Sequence, residues 1–193
     1  MQYLKGTGPE TFAAFDGVWE ATWDRRPAGA DQRAALLTIC SHAKPYSKSY
    51  IHQTIRRRIW AAGMLDKVDY IHISSAGIVP SWADMDPAFC AYDWNVAEAS
   101  EADVAYHVAT TTRRLRQWFD GWGKDYRGVV SYLRPEGHSA AAVAGCGRPI
   151  IPVQGIRPAS PRPYALAPDI DEVLISSTNI SSLILTLDEV LSK

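Results

Sequence analysis

Short apolar runs alternating with helical repeats predict an α/β fold, a small, mostly parallel sheet of about four strands with helices on both faces. Three observations carry this expectation. The apolar runs are continuous rather than alternating, the mark of strands buried on both sides. Helix-spaced segments fall between them, as parallel crossovers require. The 193 residues, 47% hydrophobic, suffice for one good core, so residues 1–193 are expected to form a single domain.

Phe12, Phe15, Val18, Trp19 and Trp23 recur at spacings of three and four behind Pro9-Glu10, predicting an amphipathic helix that closes near Pro27. ALLTIC (35–40) is a buried-strand candidate with Cys40 at its carboxyl end. Ile51, Ile55 and Ile59 repeat every four residues behind a Ser47 or Ser49 cap, predicting a helix to about Ala62. DYIHIS (69–74) is the second strand, and 75–99 reads as a long loop. Ser100 and Asp103 form a capping-box pattern ahead of Val104, Val108, Thr111, Leu115, Trp118 and Phe119. GVVSYL (128–133) is the third strand, SAAAVAG a short small-residue helix and RPIIPVQ (148–154) a fourth strand. Six prolines between 149 and 168 describe an irregular crossing, and 179–191 a closing helix. Trp19, Trp23, Trp60 and Trp118 fall at core spacing.

Composition excludes several classes. Twenty Lys and Arg against 21 Asp and Glu rule out a protein that holds nucleic acid by bulk charge. No apolar run approaches the roughly 20 residues of a membrane span, and the start, MQYLKGTGPE, lacks a signal pattern, so the expectation is a cytoplasmic protein without a membrane partner. Three widely separated cysteines form neither a disulfide framework nor a zinc knuckle. Asp84 and Asp86 have no His or Cys at ligand spacing, so no metal is expected, and no cofactor is implied.

CSHAKPYSKSYIH (40–52) crowds a thiol, two histidines, two lysines and three serines into one strand-to-helix connection. A thiol beside a helix amino terminus and a lysine is biased toward thiolate. The alternative is a buried small Cys40, a serine that merely caps and a solvated Lys44.

The pattern Cys-x3-Lys-Pro-Tyr-x2-Ser-x2-His, met by Cys40, Lys44, Pro45, Tyr46, Ser49 and His52, resembles the signature of the archaeosine synthase family. Ile39 stands where the family usually has proline. A second block, 74–103, resembles the family's Ser-Pro-x-Gly-x-Val-Pro stretch with a downstream Tyr-Asp, matched by Gly77, Val79, Pro80, Tyr92, Asp93 and Glu101, with Ala76 in place of the proline. The matched core runs over about 35–135.

This resemblance implies an enzyme that converts the nitrile of 7-cyano-7-deazaguanine in DNA or tRNA to an amide or amidine. Partner modification enzymes are then also expected. The chain has no room for the family's further domains, including its RNA-binding one, so DNA is slightly favoured over tRNA. Thiolate addition to a nitrile carbon gives a thioimidate that water or an amine resolves. Cys40 is the candidate nucleophile, with Asp93 and His52 as candidate acids and Lys44 as thiolate stabiliser or phosphate contact. Direct action of Asp93 or Lys44, with Cys40 only packing, is the alternative. Tyr46, Ser49, Ser75, Gly77, Pro80 and His138 are the expected substrate-binding residues; Trp82 and Trp94 are expected to pack in the core, the alternative being that they sandwich a base. The rival functions are a non-catalytic nucleic-acid-binding module and a small-molecule α/β enzyme.

Charge is segregated: residues 42–67 carry six Lys or Arg and one acid, residues 76–104 six acids and no base. Arg56, Arg57, Arg113 and Arg114, on the two helices flanking the proposed site, are expected to form a phosphate-contacting rim.

Overall fold

A computed structural model describes residues 4–5, 13–41, 44–90, 92–93, 99–157 and 170–193. In chain order the elements are β1 (Leu4–Lys5), α1 (Val18–Trp23), β2 (Ala34–Ile39), α2 (Tyr50–Ala61), β3 (Val68–Ser74), β4 (Gly77–Pro80), α3 (Pro87–Cys90), β5 (Tyr92–Asp93), α4 (Glu101–Gly121), β6 (Gly128–Tyr132), α5 (His138–Cys146), β7 (Ile150–Pro152) and α6 (Ser177–Leu191). The main sheet has the order β4-β3-β2-β6-β7. β3, β2, β6 and β7 run parallel and β4 antiparallel, while β1 and β5 pair in a separate parallel ladder.

The α/β expectation holds, with five strands in the sheet rather than about four. The extra strand, β4, lies in the segment expected to be loop. GIVP is too short to show a period, yet it returns on β3 through a two-residue turn, pairing Ser74 with Gly77 and Ile71 with Pro80. Gly77 has a φ of 122°, and a Cβ there would come within 2.5 Å of the Trp19 ring. The turn therefore needs glycine twice over, for its backbone and for the indole against it.

Alternation along β2 feeds two cores. Leu36, with Tyr70, Val130 and Tyr132, meets Ile51, Ile55 and Ile59 of α2 and Leu183 and Leu187 of α6. Leu37, with Ile71, Ile73 and Val129, meets Trp19 and Trp23 of α1, Leu115 and Trp118 of α4 and Ala142 of α5. Helices thus cover both faces, and β2, buried on each, is the centre. Trp19, Trp23 and Trp118 are wholly enclosed as their spacing predicts; each buries on the order of 200 Å². Trp60, expected in the core, is instead 68% exposed. The repeat of Ile51, Ile55 and Ile59 already fills the inner face of α2, leaving Trp60 on the outer flank.

Capping follows the sequence closely. Ser49 accepts the His52 N–H, and Ser100 and Asp103 form the full reciprocal box. The last helix starts at Ser177 behind a Ser176 cap, two residues earlier than expected. The first helix is shorter than predicted, only Val18–Trp23 after a turn at Gly17; Phe12 lies outside the described residues. No described helix is long and apolar enough to cross a membrane.

Candidate functional site

From β2 the chain moves through α2 to β3 on one side, then returns to add β6 on the other. In such sheets the crevice outside the strand ends, where the order reverses, is where loops converge on ligands. Here that point lies between β2 and β6. Cys40 follows the last residue of β2, and the β6–α5 loop carrying Arg134 and Glu136 stands on its other side. Cys40 is half-buried against the α1–α4–α5 core, and none of the three cysteines is in a disulfide.

After Cys40 and Ser41, Lys44 and Pro45 are half-buried and Tyr46 fully so, in a single turn that delivers Ser49 to the start of α2. What pins this turn comes from the second family-like block. Asp84, 1% exposed, accepts from the Ser47 N–H at 2.7 Å and the Ser47 hydroxyl at 3.2 Å. The Cys90 thiol donates to the Asp84 carbonyl at 3.5 Å. Burial and then Asp84 push the Cys90 thiol up, while the Lys44 cation, close enough to be felt, pulls the other way. Lys44, Ser47, Asp84 and Cys90 therefore form one cluster. Asp84 is the key residue that sequence reasoning missed: weighed only as a metal ligand, it is a hydrogen-bond anchor. Its signal was an acid amid apolar neighbours in a segment without bases.

Beneath this cluster, on the α2 side of the sheet, lies a buried polar network. The His52 and His72 rings stand 4.6 Å apart, and neither residue has any exposed surface. His52 Nδ1 lies 3.0 Å from the Tyr70 hydroxyl, and the Tyr46 ring stacks obliquely on His72 at 4.9 Å. Thr38 donates its hydroxyl to the Ile71 carbonyl and sits 3.4 Å from His72 Nδ1. His72 Nε2 is 3.7 Å from the Asp84 carboxylate. Burial, aided by Arg56, lowers the His52 pKa to about 4. Burial, then the neighbouring His52, holds His72 well below its ordinary value. Both imidazoles are neutral at pH 7, and burial raises the Tyr70 phenol, keeping it protonated. His52 is thus no solvent-facing acid but an enclosed, neutral ring beneath the turn. His72, which no motif pointed to, is its partner.

Residues 19–144 match the family described as a domain of unknown function, DUF5591. The chain belongs to this family. The matched stretch runs from α1 through most of α5 and contains both blocks. Among solved structures, the crystal structure of AF0587, a protein of unknown function, is 18% identical with a TM-score of 0.48; the alignment covers 80% of this chain and 44% of that one. This chain therefore spans under half the length of that protein. No curated protein matches.

The remaining expected site residues of this DUF5591 chain fall into distinct places. Ser75, Gly77 and Pro80 are buried in the β3–β4 hairpin. The Ser74 hydroxyl accepts the Ala76 N–H and donates to the Gly77 carbonyl, bracing the turn. Asp93 lies in β5, paired with Lys5 through the backbone; its side chain, like Trp94 and His42, is outside the described residues. Trp82 packs edge-on against Trp23. His138 is the exposed first residue of α5, near enough to His107 to disfavour its protonation.

The expected arginine rim needs correction. Arg114 is 1% exposed: Nη1 donates to the Ser75 carbonyl at 2.7 Å, and Nε and Nη2 donate to Asp16. Arg113 is exposed but also bonded to Asp16. Their helix faces the sheet with Leu115 and Trp118, which turns Arg114 inward. Arg56 lies over the Tyr70 ring at 5.8 Å, half-buried, and Arg57 is exposed. Among the described residues no three His, Cys, Asp or Glu side chains are grouped to hold a metal ion.

Proposed function

We propose that the chain is a nucleic-acid modification enzyme that converts the nitrile of 7-cyano-7-deazaguanine, carried in DNA or tRNA, to an amide or amidine. The supporting observation is that both archaeosine-synthase-like blocks meet at one sheet edge: Cys40 ends the central strand at the point where strand order reverses, and Asp84 ties the Lys44–Ser49 turn to the second block. In the reaction the Cys40 sulfur bonds to the cyano carbon and the nitrile nitrogen takes a proton, giving a thioimidate. Water or an amine then adds to the same carbon and the thiol leaves, yielding the amide or the amidine. Lys44 is the favoured donor of the first proton and the partner of the thiolate, because His52 is enclosed and neutral.

The test is to incubate the protein with DNA and with tRNA carrying the nitrile base, with and without lysine or ammonia, then digest and weigh the nucleosides. A mass gain of one water marks hydration; an amine adduct marks amidine formation. Cys40→Ala should abolish either product while polynucleotide binding persists. Binding without product from any nitrile substrate would overturn the reaction and leave a non-catalytic recognition module.

A further inference from the structure

The outer face of α2 carries a combination found nowhere else among the described residues. Among the described residues Tyr50 and Trp60 are the two most exposed aromatic side chains, at 69% and 68%, and Arg57 and Arg58 stand exposed between them in sequence. At 100° per residue Arg57 lies between the two rings around the helix, and ten residues of rise put the rings about 15 Å apart along it. From residue 44 to residue 65 the chain has Lys44, Lys48, Arg56, Arg57 and Arg58 and no Asp or Glu. No acid within this segment neutralises the face.

Comparison with the other arginines sharpens the point. Arg26, Arg33, Arg113, Arg114 and Arg148 bond to acids of the fold. Arg116 and Arg127 donate to carbonyls at the ends of α5 and α6. Among the described residues Arg57 and Arg58 have neither an ion pair nor a hydrogen bond. Arg25 and Arg157 are likewise exposed and unbonded through their side chains, but of these four only Arg57 lies between two bare rings.

We propose that the outer face of α2 is a docking track for single-stranded nucleic acid, with Tyr50 and Trp60 stacking on bases and Arg57 contacting the phosphate backbone between them. Every base presents a π-face, so such stacking tolerates sequence. It also requires unpaired bases, because in a duplex those faces are covered except at the ends. The track begins at Tyr50, next to the Ser49 cap and so to the turn from Cys40, which lets a strand run from the crevice along the helix. The proposal rests on the nucleic-acid part of the reading above and not on the nitrile chemistry.

The test is fluorescence anisotropy with the full chain, a labelled oligo-dT and a labelled duplex of equal length, both unmodified, over a salt series. Tyr50→Ala and Trp60→Ala, which remove exposed rings and spare the core, should each weaken oligo-dT binding about tenfold and duplex binding much less. Arg57→Ala should reduce the slope of log affinity against log salt by about 0.7. Leu185→Ala, exposed on α6, should match the parent protein. Parent-like affinity in the aromatic variants, equal losses on duplex and single strand, or binding to anionic vesicles with none to oligo-dT would each overturn the track. A protein that forms no nitrile product but binds oligo-dT through these residues would lose the reaction and keep the track.

Discussion

Lowering the pH from 8 to 5 should strip the fold of several kcal/mol through its buried histidines. His52 has its pKa lowered by burial, then by Arg56, to about 4; His107 is lowered to about 4 by burial, then by His138 and Arg114. The unfolded chain therefore binds more protons than the native one between about pH 6.5 and pH 4, and stability rises with pH across that window. For a single imidazole shifted from 6.5 to about 4, the difference accrued by pH 5 is about 2 kcal/mol. Two such groups give about 4 kcal/mol, and His72, shifted the same way, adds to it. Domains hold roughly 5–15 kcal/mol in total, so the effect is large. Carboxylates titrate mostly below this range and confuse the reading little. Urea unfolding at half-unit pH steps should show stability flat above about pH 7.5 and falling below 6.5, with a limiting slope above the roughly 1.4 kcal/mol per pH unit of a single proton. His107→Leu should lower that slope by about one proton's worth. A curve that stays flat to pH 5, or a slope below one proton, would refute the claim that these rings are buried neutral.

Gly77→Ala must fit a Cβ 2.5 Å from the Trp19 ring at a φ of 122°, and should cost about 3 kcal/mol or more in the same assay. Asp84→Ala strands the Ser47 N–H, with an expected loss of about 1–3 kcal/mol and faster hydrogen exchange over residues 44–52. Asp16→Asn removes the countercharge of the buried Arg114 while leaving the Ser75 contact, and should destabilise by about 1–3 kcal/mol, a loss that urea unfolding would detect and high salt would not restore.

The long-period features were legible because one physical cause dominated each. Ile51, Ile55 and Ile59 could only be the inner face of a helix, and ALLTIC, buried on both sides, could only be a central strand. β4 was not legible: four residues are too few to show alternation, and its pairing depends on the turn before it. Trp60 was misread because spacing fixes a residue's angle on a helix only to within a sector, and the flank of that sector faces water. Arg114 was misread for the opposite reason. Its burial depends on Asp16 and on a carbonyl of the β3–β4 turn, both far off in sequence. In the 40–52 stretch the sequence located the crowding correctly but not the roles, since the carboxylate that organises it, Asp84, comes from the next block.

The residues of that stretch divide by their distance from solvent, and the division determines what each can do. Tyr46, Ser49 and His52 are buried; a hydroxyl engaged in a helix cap and an imidazole without surface cannot meet a polynucleotide base. Cys40 and Lys44 are only half-buried and stand at the strand end, where the crevice opens. The motif thus joins two layers, the half-buried Cys40 and Lys44 above and a neutral aromatic network below that fixes the turn through Tyr46 against His72 and Ser47 against Asp84. Burial makes a charged imidazole costly in the lower layer, and both rings stay neutral there. On the proposed reading, polymer contacts must then lie elsewhere. Phosphates need exposed cations, and α2 carries Arg57 and Arg58 on surface turned away from this network.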